Sequence, residues 1–130
     1  MSERKQKRIL VVEDAGLVRR YYREILEGAG YEVDEALNGM EAMERLLGRS
    51  VDLLIVDINM PQMDGLSFLR QLRQKPGPLG AIPALIASTE SEPHDRDAAA
   101  AAGANFYLTK PLNRDVLLEY AALMCGQQDG

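Results

Sequence analysis

The amino-acid sequence alternates five short runs of aliphatic and β-branched residues with segments of helical period, and no linker, repeat or low-complexity stretch divides it. The first strand is expected at 9–12. After it Leu17, Val18, Tyr21, Tyr22, Ile25 and Leu26 fall on one face of a helix that Gly28 and Gly30 end. Residues 31–36 read as a second strand, Asn38-Gly39 as a turn, and Ala42, Met43, Leu46 and Leu47 as the inner face of a second helix. The run at 51–57 (VDLLIVD) is apolar almost throughout, as a central parallel strand covered on both faces must be, and it ends in Asp57. A third helix carrying Leu66, Leu69 and Leu72 is expected at 65–74, followed by a loop at 76–80 and a fourth strand at 82–87. An alanine-rich helix at 95–102, a fifth strand at 105–108 and a last helix at 116–124, with Asn113 as its N-cap, complete the order. Every strand is followed by a helix, so the fold class is α/β: a (βα)5 doubly wound parallel sheet with helices on both faces.

A chain of 130 residues fits one such domain. The single cysteine, Cys125, has no internal disulfide partner and reads as packing; no residues have zinc-site spacing. The one histidine, His94, reads as a surface residue in the loop before the fourth helix. A net charge of −5 argues against direct nucleic-acid contact, which needs a basic face. Arg4, Lys5, Lys7 and Arg8 form the dense basic cluster and read as a solvated end. The expected organisation is a basic tail at 1–7, a domain at 8–125 and a short tail at 126–130, with no output domain. Neither a signal peptide nor a membrane span is apparent, and a cytoplasmic protein is expected.

Open parallel sheets bind ligands at the carboxyl ends of their strands. Polar residues fall there: Glu13 and Asp14 after the first strand, Asp57 closing the third, Ser88 closing the fourth and Lys110 after the fifth. Three carboxylates brought together repel and raise one another's pKa, an arrangement that makes sense around a cation. Mg²⁺ is the natural one, a hard ion that takes oxygen ligands and keeps room for waters and phosphate oxygens. With it, Lys110 supplies a compact positive charge and Ser88 a hydroxyl donor to the oxygens of a phosphoryl group. Asp57, ionised between cation and lysine, can then attack phosphorus in line and form an aspartyl phosphate that water later removes.

The segments ILVVED (9–14), VDLLIVDINMPQMDG (51–65), PALIAST (83–89) and LTKP (108–111) together resemble the receiver domain of two-component response regulators, of the single-domain CheY-like type. The resemblance implies a flavodoxin-like sheet of strand order 2-1-3-4-5. It implies that Asp57 is the phosphoacceptor, that Asp14 and Asp57 ligate Mg²⁺ directly, that Glu13 does so through water, and that Asn59 gives its backbone carbonyl. Lys110-Pro111 is similar to the family's cis peptide. Ser88 and Tyr107 correspond to its switch pair, and the surface they alter is helix four, strand five and helix five. The phosphoryl group would come from a sensor histidine kinase or a histidine phosphotransfer protein, and an output protein would read the altered face. The chain itself would be a monomer or a phosphorylation-dependent dimer. It would be no enzyme beyond catalysing its own phosphorylation and dephosphorylation.

Departures from the family pattern bear on turnover. Glu13 stands where aspartate is commoner, and Ser88 where threonine is. Thr89 is branched where a small residue is usual, and is expected to crowd donor or water. Asn59 and Glu90 stand two residues beyond Asp57 and Ser88, where they could position the attacking water and favour a short-lived phosphoryl state. Met63 is a further possible partner contact. An aspartate-nucleophile phosphatase or dehalogenase is disfavoured because Asp57-Ile58-Asn59 lacks the second carboxylate of Asp-x-Asp. A receiver that only binds partners would have lost an acidic residue or the lysine.

Overall fold

The computed structural model describes residues 6–125. Five strands, β1 (Arg8–Val12), β2 (Glu32–Ala36), β3 (Leu53–Asp57), β4 (Ala84–Ser88) and β5 (Phe106–Thr109), form one parallel sheet in the order β2-β1-β3-β4-β5. Five helices connect or follow them: α1 (Gly16–Gly28), α2 (Gly39–Gly48), α3 (Gly65–Arg73), α4 (Pro93–Ala102) and α5 (Arg114–Cys125).

Because side chains alternate across a strand, each apolar run feeds two cores. Leu10, Val12, Leu54, Val56, Ala84 and Ile86 face α2, α3 and α4, meeting Ala42, Leu46, Phe68, Leu69, Leu72 and Ala99. Ile9, Val11, Leu53, Ile55, Leu85 and Ala87 face α1 and α5, meeting Tyr22, Leu26, Leu117 and Ala121. Full burial of each large aliphatic side chain contributes roughly 1.5–3 kcal/mol, so the central strands hold the sheet together. Polar side chains set the helix starts: Asn38 accepts from Glu41 N–H at 2.9 Å, Asp64 from Ser67 N–H at 2.8 Å, and Asn113, as expected, from Val116 N–H at 2.8 Å. Gly103, at φ +111°, ends α4 in the left-handed region that favours glycine.

Several expectations are corrected in detail. Asn38-Gly39 is the cap and first residue of α2, its side chain having found a helical amide. Residues Gly77–Ala81, expected as loop, close into a 3-10 helix with Pro78 in its first turn, where a missing N–H costs nothing. His94 lies in the first turn of α4 and not before it, although it is exposed there. On the expected apolar stripes, Leu17 is 84 % exposed, Leu47 is also largely exposed, and Tyr21 is only partly covered, so these three lie at the margins of the buried faces. Arg8 is no part of a solvated end: it opens β1, is 9 % exposed, and donates to both Glu32 carboxylate oxygens and to the Ser50 carbonyl. Arg4, Lys5 and the tail at 126–130 lie outside the described residues.

Candidate functional site

The sheet register builds the site. Val12 of β1 stands opposite Val56 of β3, so the residues after Val12 arrive beside Asp57, the last residue of β3. Glu13 N–H extends the sheet by donating to Ala36 O at 3.0 Å, which directs its side chain over the carboxyl edge. Carboxylate oxygens of Glu13, Asp14 and Asp57 lie within 4.8 Å of one another. Glu13 and Asp57 are 2 % and 8 % exposed, and Asp14 is open to solvent.

Lys110 reaches this cluster from the far side of the sheet. Ser88 pairs with Thr109, and Lys110 N–H donates to Ser88 O at 2.7 Å. The Lys110-Pro111 peptide is cis. The Lys110 ammonium donates to Glu13 Oε1 at 2.6 Å and to Asp57 Oδ1 at 3.2 Å. Burial raises the Asp57 carboxyl above its usual range, the Glu13 charge adds to this, and Lys110 offsets only part. Burial works to lower the Lys110 pKa, but its bond to Glu13 and the Asp57 charge outweigh that and the net shift is upward. Three carboxylates against one ammonium leave surplus negative charge in a largely buried place. The donors there are all oxygen, with no histidine or thiolate, which suits a hard divalent cation such as Mg²⁺.

Ser88 is fully buried, and its Oγ accepts from Glu90 N–H at 3.0 Å. Tyr107 stays apart from the acidic cluster. It is half-buried on β5, donates its hydroxyl to Glu90 O at 2.7 Å, and carries the Arg96 guanidinium 4.9 Å above its ring. Glu90 thus joins Ser88 to Tyr107 through its own backbone. Asn59 and Thr89 are exposed in the loops leaving β3 and β4. The loop after β3 is pinned to α2, where Gly39 N–H donates to Met63 O at 3.0 Å, with Gln62 at φ 70° just before it.

Two neighbours of the site were not legible as such. Arg96 carries no motif, although a cation four residues into an alanine-rich helix is a signal in hindsight. Tyr22 looked like core, and its polar tip on a buried helix face was the available clue.

Strand order and connectivity define a CheY-like, flavodoxin-type α/β domain, with an acidic cluster and a lysine at the carboxyl edge of its sheet. Residues 9–122 match the model of the response regulator receiver domain, and the chain belongs to that family. It is 36 % identical over 125 residues to the transcriptional regulatory protein ResD of Bacillus subtilis, covering 95 % of this chain and 50 % of that protein. It is 41 % identical over 103 residues to the KDP operon transcriptional regulatory protein KdpE of Escherichia coli, covering 79 % and 44 %. The chain therefore spans half or less of the length of these curated relatives. Among solved structures it is similar to the chemotaxis protein CheY4 of Vibrio cholerae, with TM-score 0.86 and 32 % identity, covering 92 % of this chain and 98 % of that one. Among the described residues no helix is long and apolar enough to cross a membrane.

Proposed function

We propose that the protein works in a two-component phosphorelay, with Asp57 accepting a phosphoryl group from the phosphohistidine of a sensor histidine kinase or a histidine phosphotransfer protein. An Asp57 carboxylate oxygen attacks phosphorus, an O–P bond forms, the N–P bond to the donor imidazole breaks, and the electron pair stays on the imidazole. Lys110, already bonded to Asp57, meets the negative oxygens of the transferred group, and the buried Ser88 hydroxyl stands one residue beyond the strand partner of Asp57 to donate to another. Asp14 and Asp57 through carboxylates, Glu13 through water and Asn59 through its carbonyl would hold Mg²⁺. The ion supplies Lewis-acid neutralisation of charge on the phosphoryl oxygens when bound.

A turn of the Ser88 hydroxyl toward a phosphoryl oxygen would change the bond it accepts from Glu90 N–H, and the Glu90 carbonyl holds the Tyr107 hydroxyl. Tyr107 is thereby a reporter of the event, and the α4–β5–α5 face is the surface an output protein reads. A preference of a few kcal/mol for one of two arrangements is enough to shift their populations substantially. Hydrolysis, tuned by the exposed Asn59, Thr89 and Glu90, returns the protein to rest. The domain then acts in the cytoplasm as a monomer or a phosphorylation-dependent dimer, contacts no nucleic acid directly and modifies no substrate but itself.

The observation that carries this reading is the Lys110 ammonium bonded to both Glu13 and Asp57 at the carboxyl edge of the sheet. Incubation with Mg²⁺ and acetyl phosphate, followed by intact-mass measurement, tests it. A phosphate-sized gain in wild type that is absent in Asp57→Asn is expected. No gain in wild type would favour a receiver that only binds partners.

A further inference from the structure

Tyr22 sits on the inward face of α1, 2 % exposed, inside the core that α1 and α5 share with the sheet. Its ring packs as any core residue would. Its hydroxyl makes no hydrogen bond to any described residue and is not wholly sealed from solvent, which leaves it available as an acceptor. Beside it lies a cavity of about 170 Å³ lined by Val18, Tyr21, Tyr22, Lys110, Pro111 and Leu112. The Tyr21 hydroxyl is already engaged, donating to Leu112 O at 3.0 Å. Tyr22 and Lys110 are the remaining polar side chains of that lining.

Tyr22 and Lys110 line the same cavity, and the Tyr22 hydroxyl feels the charges of the acidic cluster and its lysine. Burial pushes its pKa up to about 12; among the charges it feels, Lys110 comes first, then Glu13 and Asp57. The phenol therefore stays neutral at physiological pH. The Lys110 ammonium has three protons, of which two are directed to Glu13 and Asp57. A neutral oxygen is a suitable acceptor for the third, because it orients the ammonium without adding to the surplus negative charge around it.

We propose that Tyr22 is a positioning residue of the phosphoryl-transfer site, whose hydroxyl takes up the third Lys110 proton through a water in the shared cavity and keeps the ammonium over Asp57. This rests on the function proposed above. The need is greatest when Glu13 turns to another partner, since Lys110 then loses its shorter bond and would otherwise swing free on a four-carbon stem.

The test is Tyr22→Phe, which removes the hydroxyl and keeps the ring. Phosphorylation by acetyl phosphate should slow about fivefold, the worth of one ordinary hydrogen bond. In metal-free protein at fixed pH the Lys110 side-chain Nζ and Cε resonances should shift, while the urea midpoint stays the same or rises. Tyr22→Leu, which loses the ring as well, should be slowed to the same degree. Unshifted Lys110 resonances, an unchanged rate in Tyr22→Phe, or slowing confined to Tyr22→Leu would each overturn the proposal. If wild type accepts no phosphoryl group the functional reading falls, and the metal-free resonances still decide whether Tyr22 is coupled to Lys110.

Discussion

Gly65 lies so close to Asp57 that a Cβ on it would run into the Asp57 carbonyl oxygen and stand 2.9 Å from Val56 Cγ1. It cannot retreat, because its N–H is held by Ile58 O at 2.9 Å. Gly65→Ala should therefore cost about 2–4 kcal/mol, read as a lower urea midpoint at unchanged slope. The strand end that must shift carries Asp57, so acetyl phosphate should also modify this variant more slowly than wild type.

Asp57 itself should weaken the metal-free fold. Its carboxyl is held above the usual range by burial and by Glu13, so its charged form is disfavoured in the folded state, and stability falls as pH rises through the folded pKa. In EDTA at neutral pH Asp57→Asn should melt higher than wild type. Saturating Mg²⁺ should narrow or invert that order, since a ligand at a hundred times its Kd adds about 2.7 kcal/mol to the protein that binds it. Thermal melts of both proteins with and without the ion decide this; equal Mg²⁺ shifts in the two would remove Asp57 from the ligand set.

Glu35 provides a cleaner pH dependence, remote from the acidic cluster. It bonds Arg23, and Arg19 at 2.6 Å, which ties β2 to α1. The bond from Arg23 holds its carboxyl below the ordinary value of 4.5, against the opposing effect of burial and with further help from Arg19. A lowered folded pKa means the stabilisation is complete above the unfolded value and is lost as pH falls through the folded one. Glu35→Gln should cost about 0.5–1 kcal/mol at pH 7, as partly exposed pairs do, and urea titrations should show the gap closing below pH 4.5.

Arg73 is a cation answered by carbonyls. It donates to the carbonyls of Gly80, Ile82 and Gly103 and to Asn105 Oδ1, stitching the 3-10 helix to the end of α4, and burial lowers its pKa. Arg73→Met keeps much of the stem but strands these acceptors, and should cost about 2–4 kcal/mol in urea unfolding. Hydrogen exchange should then rise first around Gly103 and Asn105; uniform acceleration across the sheet would contradict a local clamp.

The parts of this molecule visible in its sequence are those written in side-chain type and period. Apolar runs that end in a polar residue located Glu13, Asp57 and Ser88 at one edge of the sheet because a parallel sheet brings all its strand ends together. What stayed hidden depends on backbone atoms or on distant partners. No residue type announces that Glu90 will offer its N–H to Ser88 and its carbonyl to Tyr107. Arg8 looked like part of a tail because its partners, Glu32 and Ser50, are 24 and 42 residues away. The hydroxyl of Tyr22 was masked by its ring, which fits the helical stripe so well that the polar tip carried no weight.

The bond from Lys110 to Glu13 spans 97 residues, and the one to Asp57 spans 53. A nascent chain that has paired its first three strands owns the acids but lacks the ammonium that completes the site, because Lys110 follows β5, the edge strand paired last in chain order. Under the proposed function, competence for phosphoryl uptake is a property of the finished sheet, and a chain lacking β5 and Lys110 would take up no phosphoryl group. The geometry makes chemical readiness a certificate of complete folding.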